Sequence, residues 1–406
     1  MKKAFVILIA LLFAFVVIKG ESIANFIETT VISNDCIVAY ADSTEESIMD
    51  EVEDSIEKLI GSEVDDLFDS IESDEKYEFG SSIKDYIESI VAGEIPSITD
   101  FISIALNSFF SNFITVISGL ISIVIIALLY NLSQSLLSGF QREGVQNVIY
   151  YAVFGAIITI LCVMISDIVT EVKSAITVIA NITDIFIPIL VTIMTAIGSV
   201  SSISIFQPML VLINSVAIQV VDSVVIPLFL ASVVFSMVGS MSTSVKLDKL
   251  NAAIRSIAGW ILGIMFTVII GLLTSEGIVG ASIDSISIRS AKFAISSYVP
   301  ILGGYLTDGF DVLLAGAVLV KNAFGLTGII LLFVSVLQPI ATVVAFNIGL
   351  KLTAGIIEPM SDSRISNLLA NLAKSLNIII AVILGLTFLV FSMFMLIIAT
   401  CNMGLG

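Results

Sequence analysis

From about residue 101 onward the apolar residues come in long runs, roughly 113–132, 148–168, 184–200, 208–240, 257–275, 299–320, 326–350 and 378–400. An α-helix needs about 20 apolar residues to cross the hydrocarbon of a bilayer, so these runs read as membrane spans. The run 208–240 is too long for one ordinary span. Asp222 and Pro227 near its middle predict two short helices or a re-entrant hairpin. Residues 361–377 show a narrower pattern, with Ile365, Leu368, Leu369, Leu372 and Leu376 on one face. That is the signature of an amphipathic helix lying on a membrane surface.

Before residue 101 the runs give way to stripes. Ile48, Val52, Ile56, Leu59, Ile60, Val64, Leu67 and Ile71 recur at steps that mark one helical face. After Ser73-Asp74-Glu75 a second stripe follows through Phe79, Ile83, Tyr86, Ile87 and Ile90, with Ser82 and Asp85 spaced as an N-cap. The pattern predicts a solvated helical hairpin with acidic outer faces, or, read more sharply, a docking surface for a partner.

Composition fixes the class. Hydrophobic residues are 57% of 406, and the mean hydropathy is +1.11, more apolar surface than a soluble chain of this size can cover. The expected fold is all-α: a polytopic helical membrane protein with about seven to nine helices over 101–406. The net charge of -18 is concentrated in one place: residues 42–100 hold 20 of the 35 acidic residues and three of the 17 basic ones. So acidic a region repels nucleic acid, which is set aside as a partner. Histidine is absent, and Cys36, Cys162 and Cys401 are far apart without CxxC spacing. Neither a zinc site nor a disulfide framework is expected. No P-loop, HExxH, GxSxG or nucleophile–base pair is present, so the reading is of a non-enzyme without a cofactor.

Lys2 and Lys3 precede an apolar run from Ala4 to Ile18, the layout of a signal peptide. Residues 1–41 are expected to be a signal peptide or a signal anchor, with Ala39-Tyr40-Ala41 as a small-x-small site. Either outcome places the acidic region 42–100 outside the cytoplasm.

Three sets of residues stand out in the membrane segment. Lys246, Lys249 and Arg255 sit together with only Asp248 against them. By the positive-inside rule they mark a cytoplasmic loop and a contact for a partner. Gly259, Gly263, Thr267 and Gly271 step along one span at fours, as Ala341, Ala345 and Gly349 do along another. Small faces let helices approach closely in lipid, within the chain by default or between chains of an oligomer as the alternative. Asp308, Asp311 and Lys321 lie in an apolar region opened by Pro300. Two carboxylates three residues apart share a helical face, and charges in hydrocarbon line a cavity, pair up or sit at an interface. Asp308, Asp311 and Lys321 are expected to line a polar path or an intersubunit groove, with a hydrated interface as the alternative. Asp311 and Lys321 would be about 15 Å apart along a helix, too far to pair.

The carboxy-terminal half carries specific motifs. Tyr298-Val-Pro-Ile-Leu-Gly-Gly-Tyr-Leu-Thr-Asp-Gly-Phe-Asp311, Val320-Lys-Asn-Ala-Phe-Gly325 and Lys351-Leu-Thr-Ala-Gly-Ile-Ile-Glu-Pro-Met-Ser-Asp362 resemble those of the stage III sporulation protein AE family. The layout agrees over nearly the whole chain; the acidic region is its least similar part. The resemblance implies a mother-cell membrane protein around the engulfed forespore of endospore-forming bacteria. It also implies partners: other stage III proteins, among them an ATPase-like member and ring-forming members, in a channel or secretion-like complex. A stand-alone secondary transporter and a structural scaffold are the competing functions. The family motifs bring no catalytic or ligand residues with them.

Overall fold

The computed structural model describes residues 98–137, 143–197, 200–241, 247–298, 303–359 and 363–399, together with Ile87; the side chains of 276–313 lie outside the description. Every regular element among them is helical. The elements are α1 (Ile98–Leu137), α2 (Glu143–Ile197), α3 (Val200–Val220), a π-helical turn (Val221–Val225), α4 (Ile226–Met241), α5 (Asp248–Tyr298), α6 (Gly303–Ile357) and α7 (Ser363–Ala399). The π turn joins α3 and α4 without a break, so the chain forms six rods, and six are long and apolar enough to cross a membrane. The expected signal segment 1–41 and nearly all of the acidic region 42–100 fall outside the described residues. Ile87 is the exception, helical and fully buried in the hydrophobic core.

Six rods replace the seven to nine helices that the apolar runs predict. Runs 148–168 and 184–200 are one helix, α2, and runs 299–320 and 326–350 are another, α6. The interruptions are polar, with Glu171 and Lys173 in the first and Lys321 and Asn322 in the second. A charge lowers hydropathy without ending a helix. Four of the five connections carry Gly or Pro in sequence, at Gly139, Gly198, Pro300 and Pro359; the α4–α5 connection, 242–247, carries neither, and Pro188, Pro208, Pro227 and Pro339 lie inside helices.

Residues 361–377 form no separate surface helix. They are the first half of α7, and Ile365, Leu368, Leu369, Leu372 and Leu376 are all in the core. Its other face is polar, with Asn367, Lys374 and Asn377 exposed, while Asn371 and Ser375 meet polar groups of neighbouring helices, described below. The run 208–240 neither splits nor re-enters. At Asp222 the helix widens by one residue, and the amide of Ile226 bonds to the Val221 carbonyl. That turn absorbs the ring of Pro227, which would clash with the carbonyl four residues earlier in a regular helix.

The rods run up and down, and α6 is central, packed on α1, α2 and α7, while α7 also meets α4 and α5. Tyr150 donates to the Ser240 carbonyl at 2.9 Å, and Arg364 lies over the Tyr150 ring at 3.6 Å. These contacts tie the ends of α2, α4 and α7 at one face of the bundle. The 55 residues of α2 and of α6 each rise about 80 Å, well beyond the ~30 Å of a hydrocarbon core.

Candidate functional site

The bundle end that holds the α1–α2, α4–α5 and α6–α7 connections is the basic one. Lys249, Arg255, Lys351, Arg364 and Lys374 lie within about three turns of these connections, whose sequence also carries Arg142 and Lys246, both outside the described residues, against Arg289, Lys292 and Lys321 towards the other end. Lys249 is exposed on the first turn of α5. Arg255 is half-buried and belongs to a different structure, a polar junction of three helices.

That junction was not foreseen from spacing. Ser232 and Ser236 come from α4, Asn251 and Arg255 from α5, and Asn371 and Ser375 from α7. With its amide oriented to suit its neighbours, Asn251 donates to Ser232 Oγ (2.5 Å) and accepts from Ser236 Oγ (2.6 Å) and Arg255 Nη1 (3.1 Å). Ser232 Oγ also lies 2.7 Å from Ser375 Oγ, and Asn371 Nδ2 reaches Asp248 Oδ1 at 3.3 Å. One helix over, Asn347 Nδ2 donates to the Ala373 carbonyl at 2.6 Å. In an apolar bundle, each buried polar group needs a partner, so such a junction fixes which helices meet and in what register. It holds the end of α4 and the start of α5 against α7. The legible signal was the run of Ser and Asn on the faces of α4 and α7 that would otherwise be apolar.

Asp308 and Asp311 stand in the first turns of α6, at the end opposite the basic one. Lys321 is elsewhere. It is fully buried, and its ammonium donates to the Ile398 carbonyl at 3.0 Å, in the last turn of α7. The last carbonyls of a helix lack backbone donors and carry partial negative charge, so the ammonium caps α7. Gly325, one turn on, lies against the same residue: a Cβ there would come within 2.6 Å of Ile398 Cγ1. The stretch Val320–Gly325 is thus the seat of the end of α7. The stretch from Lys351 forms the α6–α7 corner, where Ser366 Oγ donates to the Ala354 carbonyl at 2.9 Å.

The two small-residue faces fare differently. Ala341 and Ala345 are buried, and a Cβ at Gly349 would meet Leu120 at 2.7 Å, so that face packs on α1 inside the chain. At Gly259, Gly263 and Gly271 a Cβ would meet nothing within 4 Å among the described residues. Internal packing, the expected default, is not what the described helices give them. No group of three or more His, Cys, Asp or Glu that could hold a metal occurs among the described residues.

A further polar feature runs along the outer face of α2. Lys173 pairs with Asp222 at 3.5 Å, and Asn214 Nδ2 reaches Asp184 Oδ1 at 3.4 Å. Asp167 and Asp184 lie within this continuous helix.

Comparison with known proteins gives a consistent result. The family model for stage III sporulation protein AE matches residues 81–401. The stage III sporulation protein AE of Bacillus subtilis (strain 168) is 24% identical over 282 residues, which cover 70% of this chain and 71% of that protein. No solved structure matches.

Proposed function

Because the chain belongs to the stage III sporulation protein AE family, we propose that it is the polytopic membrane part of a mother cell-to-forespore channel or secretion-like complex, without catalysis of its own. Its membership makes it a sporulation protein, and its six long apolar helices are those of a multi-pass membrane protein. The observation that carries the rest is the asymmetry of the two ends along the chain: seven basic residues in or near the connections at one, three at the other. By the positive-inside rule the basic end faces the mother-cell cytoplasm. Residue 98, and with it the acidic region that precedes α1, then lies across the membrane, in agreement with the signal-like start.

In this reading the α4–α5 connection is the docking point for the ATPase-like partner, held rigid by the polar junction behind it. Lys246→Glu with Lys249→Glu, leaving Arg255 in its junction, should lower co-purification of that partner several-fold and leave the membrane level of the chain unchanged. Undiminished co-purification would remove the docking assignment. At the opposite end Asp308 and Asp311, near the start of α6, are the candidates for a polar path or an intersubunit groove. Asp308→Asn with Asp311→Asn should reduce spore yield at normal protein level, and normal yield would reduce both to hydrated surface carboxylates.

A further inference from the structure

From Ser166 to Ala196 every exposed position on α2 is polar or small; no large apolar side chain faces outward over these eight turns. Lys173, Thr177, Asn181, Asp184, Thr192 and Thr195 follow one another at the helical repeat, with Pro188 at the one intervening position. The opposite face, through Ile176, Ile179, Ile182, Phe186 and Leu190, is buried in the core. The stripe rises about 45 Å, the thickness of a bilayer with its headgroups.

The neighbouring helix shows what surrounds this level. Asn214 and Asp222 touch the stripe, and between and beside them the outer face of α3 exposes Val211 (51%), Leu212 (64%) and Val216 (48%). Those side chains are suited to lipid. Threonine can sit beside lipid by returning its hydroxyl to its own helix, as Thr177 does to Lys173 and Thr192 to Pro188. Asn181, Asp184 and a half-exposed Lys173–Asp222 pair cannot: each charge in hydrocarbon costs at least ~2.5 kcal/mol. Two surfaces of opposite character therefore meet at one level, and only one of them faces lipid.

We propose that the polar stripe of α2 lines a water-filled path across the membrane for small hydrophilic solutes, closed off from lipid by further copies of this chain around a symmetry axis. Lys173 at one level and Asp184 about 16 Å further along give the wall both signs, and hydroxyls and amides supply the rest, so the wall suits polar solutes of no single charge. The inference rests on the membrane-component reading above for its setting, and on the α2–α3 surface for its argument.

The test uses the full chain expressed without its sporulation partners, in membranes, with Cys36, Cys162 and Cys401 replaced by Ser. Single cysteines are placed on the stripe (Thr177→Cys, Asn181→Cys, Thr192→Cys) and on the apolar face at the same level (Leu212→Cys, Val216→Cys). They are treated with a charged, membrane-impermeant methanethiosulfonate. Stripe positions should react at least about tenfold faster than Leu212→Cys and Val216→Cys, because the charged reagent is excluded from hydrocarbon. Lysine cross-linking in the same membranes should give multimers of the chain. Stripe cysteines as slow as the apolar ones would overturn the path. Equal, fast reaction at all five would do so as well, by placing this level outside the membrane, and a chain that cross-links only as monomer would remove its wall. Because no partner is present, these results are independent of the Lys246 and Lys249 co-purification, which tests the assembly reading alone.

Discussion

Lys321→Glu is expected to deplete the protein from the membrane. The ammonium is completely buried and donates to the Ile398 carbonyl at the end of α7. A carboxylate there would lose that charged hydrogen bond, worth roughly 1.5–3 kcal/mol. It would also set a negative charge against the negative end of a helix dipole, in a place without water. A buried charge stripped of its partner costs several kcal/mol more, about 3–5 in all. Lys321→Met, which keeps the length and apolar stem of the side chain, should lose only the first part and fold with lowered stability. Steady-state levels by immunoblot, with thermal unfolding of the detergent-solubilised protein, would rank wild type above Met and Met above Glu. A Glu variant that accumulates and melts like wild type would show that Lys321 does not cap α7.

Gly328→Leu should be comparably severe, for a steric reason. A Cβ on Gly328 would lie 2.9 Å from the ring of Phe394 and 3.1 Å from that of Phe186. These two rings are themselves edge to face, 6.1 Å between centroids, and both are fully buried. Neither can swing away without meeting the rest of the core. Overpacking of this kind costs typically about 1–3 kcal/mol and more where the backbone cannot shift. In lipid close packing is most of what holds helices together, so the loss is not offset by burial. Gly328→Ala should be intermediate, and Phe394→Leu should recover part of the Gly328→Leu loss. Gly263→Leu is the control: its Cβ position is open, and the fold of the single chain should tolerate it. If Gly263→Leu unfolds the protein as Gly328→Leu does, the difference between the two glycine faces is wrong.

The glycines show how far a sequence carries such an argument. Gly259, Gly263 and Gly271 make a regular stripe and invite a packing partner, whereas Gly325, Gly328 and Gly385 have no such regularity. The described structure leaves the first set open and places side chains tightly against the second, with Phe266 lying over Gly385. Spacing tells which residues share a face of one helix. Which face receives a neighbour depends on the order and tilt of six rods, and that is decided by pairwise packing. Lys321 teaches the same lesson, since its partner is a backbone carbonyl 77 positions away, to which side-chain chemistry gives no clue.

What the sequence by itself determined is the class of solvent. Long apolar runs demand helices that satisfy their own backbone in lipid, and the distribution of Lys and Arg separates one end from the other. The three motifs also suffice to place the chain in its family. The tertiary structure decided the number of rods, because a charge lowers the hydropathy of a run without ending its helix. It also decided the meaning of the polar residues inside them. Ser232, Asn251 and Ser375 became a junction because three helices converge there, and the α7 stripe became core because neighbouring helices pack over it. Lys173 to Thr195 became an open polar wall because no described helix packs over it. A polar group in an apolar helix has several low-energy fates, and only the neighbouring helices select among them.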